Sequence, residues 1–110
     1  MSPRDQGAVW DDFHELVNLS PGELEDWLAR EESKSAGQHE SGGESTGHAS
    51  GRRIVAILRS KRGDLSDDDY AHMSKVVGYI KRHLAQRPSG DTTHSKWRYS
   101  LMNWGHDPEK

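Results

Sequence analysis

Apolar residues recur at spacings of three and four from near the start of the chain. Val9, Trp10, Phe13, Leu16 and Val17 form one face of a helix over about residues 8–17, and Asp11, Asp12 and Glu15 take the other. The acids sit early, where the helix dipole favours them, and Asn18 is placed to end the helix. A second helix has a fuller start signal. Ser20 suits the N-cap and Pro21 the first helical position, while Glu23, three residues after the cap, completes a capping box. Leu19 and Leu24 can staple across that cap, and Leu24, Trp27 and Leu28 make a stripe that predicts a helix fading near Ser33.

Periodicity then stops. SKSAGQHESGGESTGHASG, residues 33–51, is rich in Gly and Ser, and its first part reads as a flexible loop at about 34–43. A third helix opens between Thr46 and Ser50, carries Ile54, Val55, Ile57 and Leu58, and should close at Gly63. Gly47 and Gly51 lie four apart on one side of its early turns, which permits close approach of a backbone or ligand. The fourth helix has the most regular pattern. Ser66 caps it, Asp67, Asp68 and Asp69 fill its first turn, and Tyr70, Met73, Val77, Ile80 and Leu84 repeat at alternating spacings of three and four. It should run over about 67–86, ending before Pro88 with Lys81, Arg82, His83 and Arg87 near its C-terminus.

A turn-rich connector at 88–95 leads to a last short helix at about 96–103, with Trp97, Leu101 and Trp104 on one side and Gly105 placed as its left-handed terminal residue. No strand-like alternation and no internal repeat is visible. The pattern predicts a single all-α domain over 1–110, with four to five helices around the long central helix and the N-terminal helices packed against it.

Composition narrows the function classes. Among 110 residues there are only 17 Val, Ile, Leu and Phe, but four Trp, three Tyr and three Met restore apolar volume. No apolar run approaches a membrane span, and MSPRDQGAVWDDF lacks the apolar centre of a secretory leader, so a cytoplasmic location is the expectation. Without Cys there is no disulfide framework, Cys-based zinc site or thiol nucleophile. The formal charge of −3 hides an asymmetry: residues 1–50 carry −8 and residues 51–110 carry +5. Two readings stay open. The acidic half could mask a basic, anion-facing surface, or acidic helix starts could simply lie early in the chain.

Chemistry-bearing constellations are sparse. Glu44 and His48 are four apart and could form a base–orienter pair, or serve as a helix-start Glu with a part-buried His. No phosphate-binding Gly loop or nucleophile elbow occurs, and the spacing of the seven His matches no metal-ligand pattern. The expectation is therefore no catalytic residues, no metal and no cofactor. The basic residues are more suggestive: Arg52, Arg53, Arg59, Lys61 and Arg62 on one helix, Lys75, Lys81 and Arg82 on the long one, and Lys96 and Arg98 on the last. Rigidly held, they could face phosphates, with Trp97 or Tyr99 for stacking.

Four segments, VWDDFHELVNLSPGELEDWL, ESTGHASGRRIVAIL, DYAHMSKVVGYIKRHLAQRP and RYSLMNWGHDP, together resemble a family of small bacterial and fungal proteins, the domain of unknown function DUF3140. The resemblance runs over roughly residues 9–110, with all four motifs in order; Thr46 stands where a small aliphatic residue is expected. Members are often labelled DNA-binding, so the resemblance implies a bacterial, DNA-associated protein and supplies no catalytic residues. On the family motifs, Trp10, Phe13, Leu24, Trp27, Leu28 and Ile54 look like core, as do Met73, Val76, Val77 and Leu84. His48, His83, Asn103, His106 and Asp107, with Arg52, Lys75 and Arg82, are polar; they form either a site or a buried network tying loop and tail to the bundle. DNA is the expected partner. A protein-interaction module is the alternative, and a small His-based metal or catalytic site a third reading.

Overall fold

The structure is a computed structural model that describes residues 6–35 and 46–110. Six helices follow one another: α1 (Gln6–Leu16), α2 (Pro21–Leu28), α3 (Glu31–Ser35), α4 (Thr46–Arg59), α5 (Asp67–Leu84) and α6 (Lys96–Asn103). A 3-10 turn at Arg62–Asp64 joins α4 to α5, and there are no strands among the described residues. The all-α reading holds. The loop expected at about 34–43 lies outside the described residues beyond Ser35, and positions 34 and 35 belong to α3.

The caps follow the local chemistry. The Ser20 hydroxyl accepts from the Glu23 amide and the Glu23 carboxylate from the Ser20 amide, and Ser66 and Asp69 do the same at α5. Gly105 takes φ +85° after α6. Helix α2 does not fade near Ser33 but stops at Leu28, and the chain bends through Ala29 and Arg30 into α3. A side chain that sequence patterns could not place there caps this end. The His48 Nε2 lies 2.7 Å from the Leu28 carbonyl, which therefore takes a side-chain donor where a continuing helix would supply a backbone amide.

Two helix pairs carry the core. α1 lies along α5, and α2 lies along α4. Phe13, Leu24, Ile54, Met73, Val76 and Ile80 are fully buried between them, each contributing on the order of 1.5–3 kcal/mol by burial. Trp10 and Leu84, expected in the core, are only partly buried at its edge. The longest helix, α5, supports α1 as expected, but α2 pairs with α4. The element that touches most others is the short α6, which packs against α2, α3, α4 and α5. Glycines allow this. A Cβ on Gly51 would sit 2.6 Å from the Asn103 carbonyl oxygen and 2.7 Å from Leu28 Cδ2, so the close approach read from the Gly47/Gly51 pair is an approach of helix to helix. α4 and α5 have few mutual contacts and splay over the C-terminal end of α6.

Candidate functional site

The splay opens a cleft of about 460 Å³. Thr46 and Gly47 form one wall from the first turn of α4, and Lys75, Tyr79 and Arg82 form the other from α5. Ser100, Asn103 and Trp104 make the floor. A shallower depression continues past Lys75 and Trp104 to Ser50, Arg53 and His72. On α5 the wall is a second stripe, His72, Lys75, Tyr79 and Arg82 at spacings of three and four, turned about 130° round the helix from the buried one.

From the floor a series of near-parallel aromatic rings continues past the cleft. Tyr79 stacks on Trp104 with centroids 4.2 Å apart at 14°, and on His83 at 5.1 Å and 19°. His83 continues to Trp97 at 6.2 Å, and the Arg87 guanidinium lies over Trp97 at 5.3 Å. The rings stack on one another. Trp97, expected as a stacking platform, is buried with its indole N–H donating to the His83 carbonyl at 2.7 Å, and Tyr99 packs against Trp27.

The cleft is electropositive. Lys75 and Arg82 are exposed and have no carboxylate partner among the described residues, whereas Arg53 meets Asp69 at 3.4 Å. His72, hydrogen-bonded through Nε2 to the Ser50 hydroxyl at 2.9 Å, feels this field. Burial first, and then the charges of Arg53 and Lys75, hold its pKa below the ordinary imidazole value. Burial also pushes the His83 imidazole down, and its Nε2 has no hydrogen-bond partner. Both shifts predict acid sensitivity. The unfolded chain takes up these protons first, so the stability conferred by two neutral imidazoles is complete above about pH 6.5 and is lost as the pH falls through the folded values. The unfolding midpoint should therefore drop between pH 7 and 5. His83→Phe, which keeps a ring in the column and removes one titration, should flatten that drop in a thermal-unfolding series; an equally steep drop would exclude His83 as a contributor.

The other expected phosphate contacts divide. Arg59 pairs with Glu25 at 2.6 Å and the Arg62 guanidinium covers the Trp10 ring at 4.5 Å, both away from the cleft. Lys81 projects from α5 roughly 120° round from Lys75. Arg52, Lys61 and Lys96 are exposed and line neither part of the cleft. Arg98 corrects the sequence reading. Its guanidinium forks onto Asp107 with two 3.1 Å bonds and donates to the Thr93 carbonyl at 2.8 Å, so it fastens the C-terminal tail. Burial would raise the Asp107 carboxyl, but the Arg98 fork, the Glu109 amide and the charge of Arg98 outweigh it and hold it below the usual range.

The five polar candidates are not gathered into one centre, and no group of three or more potential ligands is positioned to hold a metal among the described residues. His48 ties α4 to the end of α2, and the His106 Nδ1 lies 2.6 Å from the Leu16 carbonyl at the end of α1. Asp107 exchanges hydrogen bonds with Asn18 across the same joint. Asn103, 1% exposed, accepts from Trp27 Nε1 at 2.8 Å and from the Ser33 hydroxyl, and donates to the Ser33 carbonyl at 3.1 Å. Glu44 lies outside the described residues.

The cleft thus draws its walls from the ESTGHASG and YAHMSKVVGYIKRH segments and its floor from RYSLMNWG. The family described as protein of unknown function DUF3140 matches residues 12–102, most of the chain. The chain belongs to the DUF3140 family. No curated protein and no solved structure matches it. What sequence reasoning missed in this family member is the cleft itself. Its signal was present in the second stripe of α5, where the off-core aromatic Tyr79 falls between two cations at helical spacing. No helix among the described residues is long and apolar enough to cross a membrane.

Proposed function

We propose that this DUF3140 domain binds duplex DNA through backbone phosphates, with Arg53, Lys75 and Arg82 as the centre of the contact. The supporting observation is that these three cations, from two helices, line the cleft and the depression that continues it, two of them without a carboxylate partner among the described residues. Cations fixed on helices attract a polyanion locally even though the chain carries −3 overall. Rings that stack on one another leave phosphate contact as the dominant mode, with no role for base stacking.

Neutralising about three phosphates gives a slope of about −2.7 in log K against log[salt]. A gel-shift titration against salt should show it, and the triple variant Arg53→Gln, Lys75→Gln, Arg82→Gln should abolish the shift while the helical circular dichroism is kept. Arg98→Gln should do the reverse, lowering stability and keeping the slope. Binding unchanged in the triple variant would remove the cleft from the reading, and no binding by the parent at low salt would remove DNA.

A further inference from the structure

Trp104 is 4% exposed, and its indole N–H, which has no acceptor among the described residues, is its solvent-accessible polar atom. The other two buried tryptophans each donate, Trp27 to Asn103 and Trp97 to the His83 carbonyl. The Trp104 Nε1 is turned toward the first turn of α4, where a Cβ on Gly47 would approach it to 3.1 Å; glycine there keeps the indole N–H open to the cleft. Three further kinds of donor surround the same space. Lys75 and Arg82 supply cations, Thr46 and Ser100 supply hydroxyls, and α4, 14 residues long, begins at the rim with the positive end of its dipole. Among the described residues the carboxylate beside this surface is Asp69, and it is occupied by Arg53 and the cap of α5. Among the described residues the remaining charge at the cleft is that of Lys75 and Arg82, which matches a phosphate dianion.

We infer that the Trp104 cleft is a seat for one terminal phosphate group, bound by the indole N–H, Lys75 and Arg82. This goes beyond duplex contact. A phosphate within a duplex backbone is a singly charged diester on a convex rod, whereas the cleft is recessed and offers two cations and an unpartnered indole N–H to one compact anion. Two sources share that chemistry, a free phosphate or small phosphate monoester and the phosphorylated end of a nucleic-acid strand. The His72 imidazole lies at the cleft margin, held down first by burial and then by the charges of Arg53 and Lys75.

The test is a proton–nitrogen correlation spectrum of the full chain, with inorganic phosphate as probe at constant ionic strength. The Trp104 indole resonance should move saturably with phosphate while those of Trp27 and Trp97 stay in place. Lys75→Gln with Arg82→Gln, both on exposed side chains, should raise the half-saturating concentration at least about tenfold. A Trp104 resonance that does not move overturns the inference, as does an equal displacement by sodium chloride or an unchanged midpoint in the double variant. A 5′-phosphorylated single-stranded oligonucleotide that outcompetes its 5′-hydroxyl counterpart would name a strand end as the source. Equal competition, with the phosphate response intact, would name a free phosphate. The duplex reading is tested apart from this, because a parent chain that gives no gel shift at low salt removes duplex DNA while its Trp104 response to phosphate still stands.

Discussion

Replacing Asn103 with alanine should lower the stability of the domain by about 3–5 kcal/mol, a large part of the 5–15 kcal/mol typical of a native fold. The side chain is 1% exposed and satisfies three buried groups on two other helices: the Trp27 indole N–H, the Ser33 hydroxyl and the Ser33 carbonyl. Truncation leaves all three without partners in a space too enclosed for full hydration, and each orphaned group costs about 1–3 kcal/mol. Ser33 is itself fully buried, so α3 has no easy route to water except by detaching from α6. Denaturant unfolding should show the loss, with a midpoint temperature lower by upwards of about 12 °C. Trp27→Phe removes one partner and keeps most of the apolar volume. If the network acts as a unit, Trp27→Phe combined with Asn103→Ala should cost less than the sum of the two alone. A loss below 1 kcal/mol for Asn103→Ala would mean that the three groups find other partners.

That network shows where sequence reasoning reaches its limit. Ser20 with Glu23, and Ser66 with Asp69, announce their caps because the partners lie three residues apart and the backbone closes the loop between them. Gly105 announces its left-handed turn for the same local reason. Asn103 could be recognised as a polar residue needing partners, but Trp27 and Ser33 lie 76 and 70 residues away, and no spacing rule spans that distance. The Leu28 carbonyl at the end of α2 is likewise capped from a distance, by His48, 20 residues on.

The candidate site divides along the same line. Arg98 and Arg82 are alike as letters in a basic half, yet one forks onto Asp107 and the other faces the cleft. The difference arises because the turn at Gly105 folds the tail back beside α6, bringing Asp107 within 3.1 Å of Arg98. The stripe of His72, Lys75, Tyr79 and Arg82 could have been found by counting a second face on α5. Its meaning could not, since Trp104 and Gly47, which complete the cleft, come from two other parts of the chain.

Gly51→Ala and Gly78→Ala should change stability in opposite directions, although both place a methyl on a helix interior. Intrinsic helix preference favours alanine at each by about 1 kcal/mol. At Gly51 the new Cβ would meet the Asn103 carbonyl oxygen at 2.6 Å and Leu28 Cδ2 at 2.7 Å. The oxygen belongs to the backbone of α6 and cannot rotate aside, so α4 must retreat from the element that joins α2, α3 and α5. Such overpacking costs about 3 kcal/mol, which outweighs the gain in helix preference and leaves a net loss of about 2 kcal/mol. At Gly78 the new Cβ meets only the Arg82 Nη1 at 3.1 Å, the free end of an exposed side chain that swings away at small cost. Most of the helix preference survives there, and a gain of about 0.5–1 kcal/mol is expected. Denaturant midpoints for the two variants measured side by side should fall on either side of the parent. If Gly51→Ala matched or exceeded the parent, the close packing of α4 on α6 would be wrong, and with it the geometry that opens the cleft.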